Sequence, residues 1–84
     1  MKITLKLFAT LTDYLPLESR YTNVVELDVS LGTCIVQVIE QYRLPEKLVH
    51  LVLVNGTYVP PEKRASQTLA EGDVLAIWPP IAGG

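Results

Sequence analysis

Cysteine and histidine are almost absent from this sequence, which has one of each among its 84 residues. A single cysteine excludes an internal disulfide, a four-thiolate iron–sulfur cluster and a cysteine-rich zinc site. Cys34 is expected at the start of a helix and His50 at the start of a strand, so a nucleophile paired with a histidine has little support. We interpret Cys34 as a small apolar residue and His50 as a strand-edge residue, and we expect the chain to have no active site of its own and no metal site.

Charged residues are also few. They make up 19% of the chain, with seven Lys and Arg against nine Asp and Glu and no basic run. This balance argues against nucleic acid as a direct ligand. The glycines lack the spacing of a phosphate loop, so we expect no bound nucleotide and no other bound cofactor. Glu26 and Asp28 are interpreted as the solvated face of a strand, and Glu62-Lys63-Arg64 as a mixed-charge turn.

Long hydrophobic runs are missing, although 49% of the residues are hydrophobic. No stretch approaches the length that a membrane span requires, and the first residues alternate instead of forming a basic segment followed by an apolar one. We therefore expect a protein that is neither exported nor embedded in a membrane, and the lone cysteine fits a reducing cytoplasm. A chain this short, with this apolar content, predicts a single folded domain.

Alternation of apolar and polar residues predicts two N-terminal strands, at residues 1–8 and 24–29. A short helical turn is predicted between them at residues 9–14. After the second strand, the apolar residues fall at the i, i+3, i+4, i+7 spacing of an amphipathic helix, which Pro45 ends; they are Ile35, Val38, Ile39 and Tyr42. The two strands are expected to pair antiparallel, with the helix covering one face.

The second half of the chain predicts three further strands. Residues 50–54 form an apolar run that favours a strand covered on both faces. Asn55-Gly56 is a strong hairpin signal, and residues 57–59 would pair back before Pro60-Pro61 ends the strand. Residues 74–78 are again apolar throughout, so this last strand is expected in the middle of the sheet.

The closing residues, "IWPPIAGG", predict a projecting tail at residues 79–84, following a folded domain at residues 1–78. Pro79 and Pro80 cannot continue a strand ladder and keep the chain extended. Six residues at ~3.3 Å each reach roughly 20 Å, enough to enter another protein. Gly83 and Gly84 have no Cβ, so they pass through a narrow channel. The alternative is an ordinary frayed terminus.

Three segments resemble one known family, the sulfur carriers of the ubiquitin-like β-grasp fold. This family includes the small subunit of molybdopterin synthase and the thiamin-pathway sulfur carrier. "KLFATLTDYL" resembles the start of the molybdopterin synthase small subunit, "LVNG" resembles the family's hairpin, and "LAEGDVLAIWPPIAGG" is similar to its final turn, strand and double-glycine end. The resemblance implies an α+β fold, with one mixed five-stranded sheet packed on one main helix and an extended C-terminal tail.

The resemblance also implies a reaction cycle. An E1-like enzyme uses ATP to adenylate the carboxylate of Gly84, a sulfur donor of the cysteine desulfurase or rhodanese type converts it to a thiocarboxylate, and a receiving enzyme such as the molybdopterin synthase large subunit takes the sulfur. The implied partner-binding residues are Phe8, Trp78, Pro79, Pro80, Ile81, Ala82 and Gly83. For the two aromatics, packing in the core is favoured over contact with a partner.

Other functions share this fold and this tail. The N-terminal resemblance favours molybdenum or tungsten cofactor biosynthesis, whereas thiamin synthesis, tRNA thiolation and cysteine synthesis are alternative destinations for the sulfur. A ubiquitin-like modifier would instead join Gly84 to a lysine of a target protein. A plain interaction module that ends in glycines is a third class.

Overall fold

The computed structural model describes residues 1–80, which form one sheet and one α-helix. The strands are β1 (Lys2–Leu7), β2 (Val24–Asp28), β3 (Leu51–Val54), β4 (Thr57–Tyr58) and β5 (Val74–Trp78), and α1 (Ile35–Gln41) follows β2. Short 3₁₀ helices occupy the connections, at Ala9–Tyr14, Leu17–Ser19, Glu46–Leu48 and Pro61–Lys63. Each predicted strand is present to within one residue at either end.

The sheet has the strand order β2-β1-β5-β3-β4. β1 pairs antiparallel with β2 and parallel with β5, and β3 pairs antiparallel with both β5 and β4. The first and last strands of the domain are therefore neighbours, and β5 lies in the middle, as its apolar sequence predicted. The predicted α+β architecture, with a mixed five-stranded sheet and one main helix, is confirmed.

The hydrophobic core lies on the side of the sheet that α1 covers. Side chains alternate between the two faces of a strand, and the apolar residues of β1 that share one face are buried; they are Ile3, Leu5 and Leu7. Met1, which the alternation places on the same face, precedes β1 and is half-buried. Leu75 and Ile77 of β5 lie beside the buried residues of β1, and Ile35 and Val38 of α1 pack onto this layer. Burying each such side chain contributes about 1.5–3 kcal/mol.

The turn between β3 and β4 shows how local sequence fixes the path of the chain. Asn55 and Gly56 both have positive φ, at 51° and 83°, as the tight hairpin turn between β3 and β4 requires. The Asn55 side chain also accepts a hydrogen bond from the Val74 N–H and donates one to Asp73. The predicted hairpin is confirmed, and its turn is also attached to the start of β5.

The other, open face of the sheet is not covered by α1.

No helix in residues 1–80 is long and apolar enough to cross a membrane.

Candidate docking face and tail root

The aromatic residues Phe8 and Trp78 stack on each other where the chain leaves the sheet. Their ring centroids are 4.2 Å apart and the rings are within 2° of parallel. β1 and β5 run side by side in the same direction, with Leu7 opposite Ile77, so the next residue of each strand meets its counterpart. The Phe8 N–H also donates to the Ile77 carbonyl at 3.2 Å. Such a pair contributes about 0.5–1.5 kcal/mol beyond the area it buries.

Phe8 and Trp78 do not lie in the core, so the preference for core packing was wrong. Both are half-buried, and neither belongs to the buried cluster. Their chain neighbours Leu7 and Ile77 are fully buried on the opposite face. The alternation of side chains along a strand places the two aromatics on the open face.

Further apolar side chains continue this surface across β5, β3 and β4. Leu51 lies opposite Trp78, and Leu53 lies opposite both Ala76 and Tyr58. We call this set the open-face patch; its members are Phe8, Leu51, Leu53, Tyr58, Ala76 and Trp78. Tyr58 is 52% exposed, the two leucines are half-buried, and Ala76 is buried among its larger neighbours.

The open-face patch corrects one prediction for β3. The strand was expected to be covered on both faces, but only Val52 and Val54 are buried, whereas Leu51 and Leu53 face the open side. The apolar run therefore reflects a core face and a second apolar surface. An exposed apolar surface of this kind is typical of a protein–protein contact.

The end of β5, from which the predicted tail would start, is joined to the residue that precedes β3. The Trp78 carbonyl accepts a hydrogen bond from the His50 N–H at 3.0 Å. Pro79 is half-buried and Pro80 is exposed. The other predicted tail residues, Ile81, Ala82, Gly83 and Gly84, lie outside the described residues. The predicted division into residues 1–78 and 79–84 stays a prediction.

Arg64 holds the residues before β3 in place, a role that the sequence did not reveal. It is only 7% exposed, although its segment was interpreted as a mixed-charge turn. Its guanidinium donates to the carbonyls of Val59 at 3.1 Å, His50 at 3.0 Å and Val49 at 3.5 Å. Arg64 thus joins the 3₁₀ helix at Pro61–Lys63 to the residues that precede β3.

The side chains with chemical reactivity lie where the sequence placed them. His50 is exposed, and half-buried Cys34 precedes α1, where its N–H donates to the Gln37 side chain at 2.8 Å. Burial raises the pKa of the Tyr42 phenol, which packs against the core and stays neutral at physiological pH. Within residues 1–80, no group of three or more His, Cys, Asp and Glu could hold a metal ion.

Three solved structures with the same fold are similar to this chain over almost its full length. SAMP1 (small archaeal modifier protein 1) from Haloferax volcanii is 24% identical, with full coverage of both chains and a TM-score of 0.69. A putative molybdopterin converting factor, subunit 1, from Pyrococcus furiosus is 21% identical over 96% of this chain and 99% of that one, with a TM-score of 0.70. A complex of subunits 1 and 2 of the molybdopterin-converting factor from Helicobacter pylori contains a chain 16% identical over the whole of both, with a TM-score of 0.62.

These likenesses confirm the ubiquitin-like β-grasp fold that the resemblance implied. Among curated proteins no significant match was found. The model of the ThiS family matches residues 5–84, almost the entire sequence. The chain therefore belongs to the ThiS family of ubiquitin-like sulfur carriers.

Proposed function

We propose that this protein carries sulfur as a thiocarboxylate on Gly84 and serves as the small subunit of molybdopterin synthase, in molybdenum or tungsten cofactor biosynthesis. The observation that supports this most directly is the family match, which continues through the closing Gly83-Gly84. The similarity to subunit 1 proteins of two organisms favours this pathway over thiamin synthesis, tRNA thiolation or cysteine synthesis. The cycle is proposed to run in the cytoplasm, whose reducing conditions suit the unpaired Cys34 thiol.

The chemistry needs an activating partner because a carboxylate is a poor electrophile. In the proposed cycle, an E1-like enzyme joins a carboxylate oxygen of Gly84 to the α-phosphorus of ATP and releases pyrophosphate. The outer sulfur of a persulfide, carried by a cysteine desulfurase or rhodanese, then attacks the carbonyl carbon, and AMP leaves with the bonding electron pair. The product is an acyl disulfide. A thiol that acts as the reductant attacks the donor's sulfur in this disulfide, which releases the thiocarboxylate and leaves the thiol and the donor joined by a disulfide. The chain itself contributes the acyl group and its placement, and needs no bound cofactor.

The open-face patch is the proposed contact surface for these partners. It lies beside the point where Pro79 and Pro80 leave the sheet, so a protein seated on the patch is close to the tail root. Aromatic residues are enriched in the centres of such interfaces, and Phe8 and Trp78 form a preassembled pair there. The remaining tail residues, Ile81 to Gly84, are proposed to enter the partner's active site.

Incubation with ATP, an E1-like enzyme and a sulfur donor tests the proposal. Intact-protein mass spectrometry should show replacement of one oxygen by sulfur at the C-terminus. Deleting Gly84, or adding one residue after it, should abolish this product while circular dichroism shows an unchanged fold. Product formation by either tail variant would contradict the role of the Gly84 carboxylate.

Two matched substitutions test the docking surface in the same assay. Leu53→Arg places a charge in the centre of the open-face patch and should slow adenylation at least about tenfold, since a buried unpaired charge costs several kcal/mol. Leu17→Arg makes the same change at a leucine that is 74% exposed and outside the patch, and should leave the rate unchanged. Equal rates for both variants would remove the patch from the proposal.

A ubiquitin-like modifier is the second candidate, favoured by the likeness to SAMP1 over the full length of both chains. In this case a lysine Nζ of a target attacks the same activated carbonyl and expels AMP, which leaves an isopeptide bond. Branched peptides ending in this sequence, found in a cell digest without any thiocarboxylate product, would favour the modifier over the sulfur carrier.

A further inference from the structure

We propose that the outer edge of β2 binds an extended, basic peptide segment of a partner protein as an additional strand of the sheet. β2 is the first strand in the order β2-β1-β5-β3-β4, so one of its two edges has no neighbouring strand within residues 1–80. This site is separate from the tail and does not depend on the function proposed for Gly84.

The backbone of β2 presents hydrogen-bonding groups along this edge. Met1 and Val29 exchange two hydrogen bonds, and the Leu7 N–H donates to Asn23, so the odd-numbered residues between them face β1. In an antiparallel ladder the residues between these pairs point their N–H and C=O groups the other way. The backbone N–H and C=O groups that point away from the sheet are therefore those of Val24, Glu26 and Asp28.

Very little in the described part of the chain engages these outward groups. The Val24 carbonyl has one long contact, 3.4 Å, with the Thr22 hydroxyl. The side chains of Glu26 and Asp28 are both exposed. Edges with free backbone groups are templates for pairing with another chain.

The opposite edge of the sheet, formed by β4, has two features that prevent strand pairing, and β2 has neither of them. β4 has only two residues, Thr57–Tyr58, and Pro60 and Pro61 follow within three positions. Proline has no N–H to donate, so this edge cannot extend a ladder. β2 has five residues and no proline.

The side chains of β2 define the chemistry of the incoming strand. Lys2 and Lys6 of β1 lie on the open face, and Asp28 and Glu26 occupy the next column outward, with Asp28 directly opposite Lys2. A further strand would place its side chains directly beside the two carboxylates, where opposite charge stabilises a cross-strand pair. On the core side it would cover half-buried Val25. An incoming strand of alternating basic and apolar residues would therefore place basic side chains beside the carboxylates and apolar side chains over Val25.

A second copy of this chain is a poor occupant. If two β2 strands paired antiparallel along their full length, the two-fold axis would pass through Glu26 and place that carboxylate against its own copy. Like charges directly opposite each other destabilise a strand pair. The acidic residues thus discourage self-association and favour a basic partner.

The test uses the full-length ¹⁵N-labelled chain and a blocked pentapeptide, acetyl-Lys-Val-Lys-Val-Lys-amide. Binding should slow amide hydrogen exchange at Glu26 and Asp28 at least about tenfold at saturation, since their N–H groups become paired. The acidic analogue acetyl-Glu-Val-Glu-Val-Glu-amide should not bind. A basic peptide N-methylated at its three lysines, whose N–H groups face β2 in an antiparallel pair, should also fail, because it keeps the charge but cannot complete the ladder.

Charge reversal on the protein provides the second arm. Glu26→Lys should weaken binding of the basic peptide at least about fivefold, because an attraction becomes a repulsion. Glu62→Lys makes the same change at an exposed residue of another segment and should leave the affinity unchanged. Unaltered amide exchange, equal binding of the N-methylated peptide, or equal loss in both variants would overturn the proposal. So would a dimer of the free chain that protects the same amides.

Discussion

At the scale of single residues, Arg64 organises more of the structure than its position in a polar segment suggests. Its guanidinium reaches carbonyls at both ends of the segment between Val49 and Val59, and its own carbonyl accepts from the Val36 N–H at 3.1 Å. A buried cation is stabilised when several carbonyl dipoles point at it, and Arg supplies donors in a rigid fork. The residue therefore connects the first turn of α1 to the residues on either side of the β3–β4 hairpin.

Replacing Arg64 with Met tests this assignment. Met keeps an unbranched apolar stem but removes the donors, so the carbonyls of His50 and Val59 lose their partners. We expect the free energy of unfolding to fall by about 2–4 kcal/mol, measured by urea denaturation. Lys63→Met changes an exposed neighbour and should shift it by less than about 0.5 kcal/mol. Similar losses in both variants would show that the buried hydrogen bonds are not what matters.

Residue-level burial could be predicted from the sequence only where alternation decides it. The period of β1 separates Ile3, Leu5 and Leu7 from the lysines, and the structure agrees. The same period places Phe8 on the face opposite Leu7, yet the aromatic character of Phe8 favoured the core. For Arg64 no local pattern exists, because the three charged residues 62–64 differ only in what the folded chain brings near them.

At the scale of elements, α1 is followed by Arg43 in the left-handed conformation, which glycine adopts more easily than arginine. Arg43 has φ 55°, its N–H donates to the Glu40 carbonyl at 3.0 Å, and the Leu44 N–H donates to the Ile39 carbonyl at 3.1 Å. These two bonds define the Schellman end of a helix, where the residue in the left-handed conformation is usually glycine. A side chain at this position costs conformational energy.

Arg43→Gly should therefore stabilise the protein. Removing the Cβ relieves the left-handed strain, and the greater freedom of glycine in the unfolded chain offsets part of the gain. We expect a net increase of about 0.5–1 kcal/mol in the free energy of unfolding, measured by thermal or urea denaturation. Arg43→Ala removes the same charge but keeps the Cβ, so it should give no comparable gain. If Arg43→Ala raised the free energy of unfolding as much as Arg43→Gly, the gain would come from removing the charge.

Element types were predictable because each has a strong local signal. Alternation identified β1 and β2, the spacing from Ile35 to Tyr42 identified α1, and Asn55-Gly56 identified the hairpin. The error at β3 has a physical origin: an uninterrupted apolar run does not distinguish a strand covered by helices on both sides from one with a second apolar surface. The open-face patch is of the second kind.

At the scale of the whole molecule, the fold depends on pairing between its two ends. β1 begins at residue 2 and β5 ends at residue 78, and the two are parallel neighbours at the centre of the sheet. β5 also forms the ladder that joins β3 to β1, so no two-stranded part of the sheet is expected to be stable alone. Contacts of such long sequence separation predict cooperative and comparatively slow folding.

Two truncations separate this folded unit from the proposed tail. A chain that ends after Pro80 keeps β5 and the hydrogen bond between Trp78 and His50, so its free energy of unfolding should stay within about 0.5 kcal/mol of the full chain. A chain that ends after Asp73 lacks the central strand, and circular dichroism should show it unfolded, because Leu75 and Ile77 leave the core and β1 loses a neighbour. If removing residues 81–84 alone lowered stability by more than about 1 kcal/mol, those residues would belong to the folded unit and could not also be the free arm that an activating enzyme must reach.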